Sequence, residues 1–265
     1  MGRLVDGIWH VSSVITSDSM GSYDRLPRTF LETISSSHSL YRPEANRYHL
    51  YVSYACPWAT RALIYRPLKG LAEYISVDVV HPDMGDDGWK FDDTFEGSSR
   101  DSLHGFKFLR QVYLEADPLA STSVTVPVLW DKKTGSIVNN ESSQIIRIFN
   151  SAFNDLSGNT DDFYPSSLRR EIDDLNEKIY QTVNNGVYKT GFATNQESYD
   201  EAVTSLFDTL DELDQRLTNS KYLLGDEITE ADLRLIPTLL RFDVVYFTHF
   251  KCNWKRIVDY KNIPR

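Results

Sequence analysis

Ten residues, Tyr51-Val-Ser-Tyr-Ala-Cys56-Pro57-Trp58-Ala59-Thr60, constrain this chain more than any other stretch. Upstream, Arg47 to Ser53 alternates, with Tyr48, Leu50 and Val52 on one face and His49, Tyr51 and Ser53 on the other, which predicts a β-strand. Downstream, Pro57 suits the first turn of a helix, where a missing N–H costs nothing. Ala59, Ala62, Leu63 and Ile64 then continue at helical spacing as far as Pro67. The strand and the helix together put Cys56 at a helix N-cap.

Unpaired backbone N–H groups and the positive end of the helix dipole favour thiolate over thiol at such a position. A cysteine at its reference pKa of about 8.5 is only a few per cent ionised at pH 7. One helix end contributes at most about 2 kcal/mol, so further donors are expected, from tyrosine hydroxyls or from Arg61. A lone cysteine is usually a small buried apolar residue, but strand, Cys, Pro and helix in succession point to a reactive thiol. A thioredoxin-type redox site reads Cys-x-x-Cys, and here Ala59 holds the fourth position. With no resolving thiol in the motif, an attacked sulfur must be released by a thiol from solution, which points to glutathione.

A chain of 265 residues exceeds the comfortable size of one core, so two domains are expected. Hydrophobic and charged fractions of 41% and 25% are ordinary for a globular protein. A formal charge of −10 without a basic run argues against nucleic acid and against anionic membranes as partners. No apolar stretch approaches the roughly 18 residues a membrane span needs, and the first residues carry no signal-peptide core. Two cysteines, one of them reactive, suit a reducing compartment, so a cytoplasmic location is expected. Fifteen tyrosines and five tryptophans suit a site that handles flat rings, although most aromatic residues are core.

In chain order, residues 1–45 read as an irregular extension and residues 46–150 as a small mixed α/β domain. Its pattern is β-α-β, helix, β-hairpin, helix, with the second strand over Tyr74 to Val80. Trp89, in the polar loop that follows, is either a loop anchor or part of a binding surface. Phe106 to Ala116 predicts a short helix carrying Arg110. A hairpin follows, with Gly135 in its turn and Pro127 inside its first strand, which argues for an edge position or a special backbone. The Ser-rich start of the next helix, Gln144 to Asn150, suits an anion or is simply a cap. After a polar linker over Asn154 to Asp162, residues 151–265 read as all-helical. Leu168 to Gly225 holds two long helical patterns, and Thr229 with Asp232 marks an N-cap and its N3 partner. Cys252, within a helix-end motif, is expected to be packed. The six histidines lack metal-ligand spacing and no Gly-rich phosphate loop occurs, so neither a metal nor a nucleotide is expected.

The two-domain order, the Thr-Glu-Ala-Asp232 helix start and Cys56-Pro-Trp-Ala59 resemble the cytosolic glutathione transferases. Further motifs resemble one subgroup, the glutathionyl-hydroquinone reductases, which are xi-class transferases related to the omega class. These motifs are Asp87-Gly-Trp89, Val126-Pro127-Val-Leu-Trp-Asp131, Asn139-Asn-Glu141-Ser142, Asn184-Asn-Gly-Val-Tyr188-Lys-Thr-Gly-Phe-Ala193 and Arg241-Phe-Asp-Val-Val-Tyr246-Phe-Thr-His-Phe-Lys-Cys252. The resemblance covers roughly residues 42 to 265 and implies a thioredoxin-like domain followed by an all-helical transferase domain. It implies Cys56 as nucleophile, Trp89 and Arg110 as glutathione contacts, and Val126 before a cis Pro127 as the partner of the glutathione backbone. Ser142 and its helix start are to hold the γ-glutamyl carboxylate and Glu141 the ammonium. Tyr188 is to exchange a proton with the quinol ring, and Tyr246 is to hydrogen-bond near the sulfur. It also implies glutathione as co-substrate, glutathionylated aromatic quinols as substrates and a homodimer. Family members continue past Asn262-Ile-Pro-Arg265 through helical sequence carrying another active-site tyrosine, so a shortened C-terminal domain is expected.

Three activities are compatible with these residues. Reduction of a glutathionyl-hydroquinone uses Cys56, glutathione and a tyrosine acid. An omega-like thioltransferase or dehydroascorbate reductase needs the first two alone. A catalytically silent glutathione-binding protein needs only the binding residues.

Overall fold

The computed structural model describes residues 2–11 and 15–264. They pack as two compact units, residues 2–11 with 26–162, and residues 15–25 with 163–264.

The first unit is built on a four-stranded mixed sheet in the order Ser76–Val79, Tyr48–Val52, Val128–Asp131, Ser136–Asn139. Strand β5 (Tyr48–Val52) leads into α1 (Pro57–Leu68), and β6 (Ser76–Val79) returns parallel to β5. The short helix α2 (Leu109–Ala116) precedes the antiparallel hairpin of β7 (Val128–Asp131) and β8 (Ser136–Asn139), and α3 (Ser142–Ser151) follows. This is the thioredoxin-like arrangement, with α1 packed against α3. A hairpin of β1 (Arg3–Val5) and β2 (Ile8–His10) is tied to the segment before β7, because Leu4 and Thr122 exchange backbone hydrogen bonds of 2.9 and 3.0 Å. The short helix α4 (Asn154–Ser157) ends at Gly158 in the left-handed region, so part of the expected polar linker is ordered into the first unit.

Two details go beyond the sequence reading. Both faces that alternate along β5 are covered, and Tyr48, His49, Leu50, Tyr51 and Val52 are all fully buried, because the strand is central. His49 is satisfied there by Ser76 Oγ at 2.7 Å and lies 3.3 Å from an Asp78 oxygen. Of the two readings of Pro127, an edge position or a special backbone, the structure shows the second. Strand β7 lies between β5 and β8, and the proline sits just before its first residue with a cis Val126–Pro127 bond, so its missing N–H takes no hydrogen bond from the ladder.

The second unit is helical apart from a two-stranded hairpin, β3 (Thr16–Ser17) with β4 (Tyr23–Asp24), which the amino-terminal segment adds to it. Its helices are α5 (Arg169–Ile179), α6 (Gly186–Phe192), α7 (Gln196–Arg216), α8 (Glu230–Arg241) and α9 (Phe247–His249). Two single π turns interrupt what the spacing predicts as continuous helix, Tyr180–Asn184 before α6 and Phe242–Tyr246 after α8. Such insertions have identifiable causes rather than propensity signatures. Here the buried Asn184 amide donates to Thr238 Oγ1 at 2.8 Å, pinning the first π turn to α8. Ile179, Val183, Val187, Val203, Leu206, Leu210, Leu213, Leu235 and Phe242 form the core.

The start of α8 follows the expected capping logic and extends it. One Asp232 carboxylate oxygen accepts the Thr229 N–H and hydroxyl at 2.9 Å each, and the other accepts the Leu223 N–H at 2.8 Å. Thr229→Ala is expected to cost about 1 kcal/mol. Asp232→Ala strands two buried N–H groups and is expected to cost about 2–4 kcal/mol. Urea midpoints of the two variants check the order.

In the first unit, Arg47 Nε and Nη2 reach both oxygens of Asp131 at 2.8 and 2.6 Å, and both side chains are buried. Burial pulls the Asp131 carboxyl upward, but hydrogen bonds from Arg47, the Lys133 N–H and Thr134 outweigh it and hold the group below the ordinary carboxylate range. A carboxyl depressed in the folded state contributes stability above its unfolded pKa of about 3.9, and that contribution is lost as pH falls toward the folded value. Asp131→Asn is therefore expected to lose about 3–5 kcal/mol at pH 7, with the gap to the parent narrowing below about pH 4. Denaturation at pH 7 and pH 3.5 measures both.

Candidate active site

Cys56 is the N-cap of α1, with extended dihedrals of φ −101° and ψ 115° and Pro57 directly behind it. Its C=O accepts the Thr60 N–H and hydroxyl at 3.0 and 2.9 Å, so the first turn closes on the cysteine itself. The sulfur is partly exposed and lies 3.6 Å from the Val126 C=O. That carbonyl accepts from the thiol, and the side chain stands at the N-terminal end of α1. Cys56 and the Val126–Pro127 bond are thus brought side by side from opposite ends of the first unit's sequence.

Arg61 lies one turn further along α1, buried, with its guanidinium over the Trp58 ring at 4.6 Å. It donates to Ser142 Oγ at 3.3 Å, so it braces the start of α3. Glu141 is the N-cap of α3, its Oε1 accepting the Ser143 N–H at 3.0 Å. Ser142, buried, is the first residue of that helix. One carboxylate oxygen, two hydroxyls, a cation and a helix N-terminus therefore meet at a single point, suited to a group bearing both an amine and a carboxylate.

Trp89 is 9% exposed, and its C=O accepts the Leu109 N–H at 2.9 Å, which sets it beside the start of α2. Arg110 lies over the Phe108 and Trp9 rings at 4.3 and 5.2 Å. Its guanidinium bonds to the Asp87 backbone carbonyl and pairs with the Asp87 carboxylate at 2.9 Å. Trp9 in turn donates to the Asp86 C=O at 3.0 Å. The polar loop is thus anchored by an aromatic and cationic stack that includes a residue from the amino-terminal hairpin.

Tyr188 and Tyr246 belong to the second unit, where their hydroxyls lie 3.3 Å apart. Tyr188 is on α6, and Tyr246 is the last residue of the second π turn. Phe192 and Phe250 pack on the Tyr188 ring at centroid distances of 6.1 and 5.3 Å. Gly191 permits this, because a Cβ there would lie 2.3 Å from the Phe250 ring. Tyr23 and Arg25, from the amino-terminal segment, also flank Tyr188, at 6.4 and 4.7 Å from its ring centroid. Neither was singled out from sequence, since nothing in a polar segment over a hundred residues upstream marks it as part of this unit.

Cys252 is fully buried, as its helix-end position suggested, and burial pushes its thiol up to about 12 against an opposing hydrogen bond with Thr190. Among the described residues no cluster of three or more His, Cys, Asp or Glu side chains is arranged to hold a metal ion. Among them too, no helix is long and apolar enough to cross a membrane.

A thioredoxin-like sheet with a capping cysteine at α1, followed by a helical unit, defines the class of a glutathione transferase. Family models agree: the glutathione S-transferase N-terminal domain matches residues 55–152 and the C-terminal domain matches residues 196–263. The chain is 52% identical over 270 residues to the glutathionyl-hydroquinone reductase YqjG of Escherichia coli K12, spanning 99% of this chain and 82% of that protein. It is 50% identical to the glutathionyl-hydroquinone reductase PcpF of Sphingobium chlorophenolicum, spanning 100% and 83%. The glutathione-bound structure of YqjG superposes with a TM-score of 0.91, covering 99% of this chain and 82% of the other at 50% identity. A xi-class transferase of Natrialba magadii gives 0.91 at 45% identity, covering 99% and 80%. The chain belongs to the glutathione transferase family, in the xi class that contains the glutathionyl-hydroquinone reductases.

The contrast between the two cysteines is directly measurable. Iodoacetamide at pH 7 is expected to alkylate Cys56 in the native protein and to reach Cys252 only after unfolding. Peptide mass spectrometry before and after denaturation reads the result.

Proposed function

We propose that this chain catalyses the glutathione-dependent reduction of glutathionyl-hydroquinones to hydroquinones, in the cytoplasm and as a homodimer. The names of the relatives at 50–52% identity support the activity, two free cysteines support a reducing compartment, and the homodimer follows the family resemblance. Residues 46–150 form the glutathione-binding domain in this reading and residues 151–265 the helical domain.

The Cys56 thiolate attacks the glutathione sulfur of the conjugate. The electron pair of the broken carbon–sulfur bond goes to the ring carbon, which takes the phenolic proton of Tyr188, and free hydroquinone leaves. A second glutathione then attacks the mixed disulfide at Cys56, and its thiol proton restores Tyr188. The net change converts one conjugate and one glutathione into hydroquinone and oxidised glutathione. Ala59 in place of a resolving cysteine makes the external thiol necessary.

Each remaining residue has a task its position suits. Ser142, with Arg61 behind it and the start of α3 beside it, holds the γ-glutamyl carboxylate. Glu141 turns Oε1 to its cap and offers the other oxygen to the ammonium. Val126, just ahead of the cis Pro127, pairs with the glutathione backbone, and Trp89 and Arg110 bound the same site. Tyr246 steadies the Tyr188 hydroxyl.

The observation that carries this reading over plain thiol transfer is the Tyr188–Tyr246 hydroxyl pair at 3.3 Å inside an aromatic cluster. Thiol transfer to a disulfide has no use for an acid aimed at a ring carbon. Tyr188→Phe is expected to lower hydroquinone release at least a hundredfold, the upper part of the range for a general acid being about 10²–10⁴, while sparing exchange with a small disulfide. Cys56→Ser is expected to abolish both and to keep glutathione binding. Mass spectrometry of products, with free hydroquinone and oxidised glutathione in equal amounts, checks the first result. Equal loss of both activities in Tyr188→Phe argues against Tyr188 as the acid of quinol release, and undiminished turnover in Cys56→Ser argues against a thiol mechanism of any kind.

A further inference from the structure

The amino-terminal segment 15–25 packs in the second unit, far in sequence from the helices it touches. Three sets of hydrogen bonds strap it down. The Met20 C=O accepts Asn195 Nδ2 at 2.9 Å and Ser198 Oγ at 2.7 Å. The Gly21 C=O accepts the Thr194 N–H at 3.1 Å and its hydroxyl at 3.2 Å. Asp18 closes the turn by accepting the Met20 and Ser22 N–H groups at 2.9 and 3.0 Å. Gly21 is required by this seat, since its φ is +85° and a Cβ would fall 2.3 Å from Asn195 Nδ2.

What the strap delivers is Arg25. Its Nε donates to Asn185 Oδ1 at 2.8 Å, and Asn185 is itself bound into the helix, its C=O accepting the Tyr188 N–H at 3.0 Å. The guanidinium carbon lies 4.7 Å from the Tyr188 ring centroid and 5.3 Å from that of Tyr23. Tyr23 packs edge-on against Phe192 at 5.3 Å, which holds the second ring in place. One residue, Asn185, therefore holds the backbone of Tyr188 through its C=O and the cation over the Tyr188 ring through its side chain. Asp18, Asp24 and Lys189 line a neighbouring cavity of about 290 Å³ together with Arg25 and Asn185.

We infer that Arg25 is a positioning residue for quinol release, holding the Tyr188 ring and stabilising the phenolate left when that tyrosine gives up its proton. The inference depends on the reading of Tyr188 as the acid. A cation over a neutral phenol gains a modest attraction, and the same cation over a phenolate gains a full charge–charge interaction. Arg25 therefore favours the transition state more than the bound substrate, which places its effect on kcat rather than on KM.

The test uses the full chain with glutathionyl-hydroquinone as substrate and hydroxyethyl disulfide as the thiol-exchange control. The variants are Arg25→Met, Arg25→Lys, Tyr188→Phe and the Arg25→Met/Tyr188→Phe double variant. Arg25→Met is expected to lower kcat for hydroquinone release about tenfold to a hundredfold, with KM within about twofold and disulfide exchange retained. Arg25→Lys is expected to recover most of that loss because it restores the charge. In the Tyr188→Phe background, Arg25→Met is expected to add nothing, since the group it serves is gone. If circular dichroism shows Arg25→Met to be unfolded, Arg25→Gln removes the charge while keeping a donor for Asn185, and is read the same way. Unchanged kcat in the charge-removing variant beside an inactive Tyr188→Phe overturns the role of Arg25 and leaves the Tyr188 reading standing. Equal falls in both activities also overturn it, by showing a merely structural part. Full hydroquinone release by Tyr188→Phe removes the underlying reading, and this inference with it.

Discussion

The first unit depends on one change of chain direction. Strand β5 ends at Val52, and by Pro57 the backbone is helical, so Cys56 is the last residue with extended dihedrals before α1 begins. Proline at the first helical position removes an N–H that has no intrahelical partner, and the cysteine keeps its side chain at the positive end of the helix. A strand buried on both faces holds that junction rigid. The polar groups this burial traps are paired, with His49 on Ser76 and Asp78 and Arg47 on both oxygens of Asp131. Leaving any of them unpaired costs more than the hydrogen bond itself returns, so the pairs define a unique register as well as satisfying it.

The same economy governs the N-terminal ends of α1 and α3. Cys56 caps one helix and Glu141 caps the other, and Arg61 on α1 reaches Ser142 at the start of α3. Capping residues are held by the helices they cap, so the Cys56 thiol and the Glu141 carboxylate are positioned by secondary structure. The Val126–Pro127 peptide adds a backbone segment beside the sulfur from outside the sheet ladder.

In the second unit the decisive feature is irregularity within helices. Two π turns shift the side chains around Tyr188 and Tyr246 off the ordinary helical progression, and the two hydroxyls come within 3.3 Å. Asn184 holds one π turn to α8, and Asn185, its neighbour, holds Arg25 beside Tyr188. Adjacent asparagines thus make two separate ties by facing different partners.

The sequence by itself determined the strand, the helix start and the cysteine between them, because period-two alternation, proline at the first helical turn and helical spacing are local properties. It likewise determined the Thr229–Asp232 cap, the packed Cys252 and the order of a mixed α/β part before a helical part. Tertiary structure alone decided that β5 is covered on both faces, that Pro127 stands ahead of a central strand, that Arg110 is engaged by Asp87, and that residues 15–25 leave their neighbours to join the helices. It also decided the π turns and the placing of Arg25 over Tyr188. Each of these depends on contacts between residues tens to hundreds of positions apart, whose free energy comes from burial and pairing, and neither leaves a periodic trace in the chain.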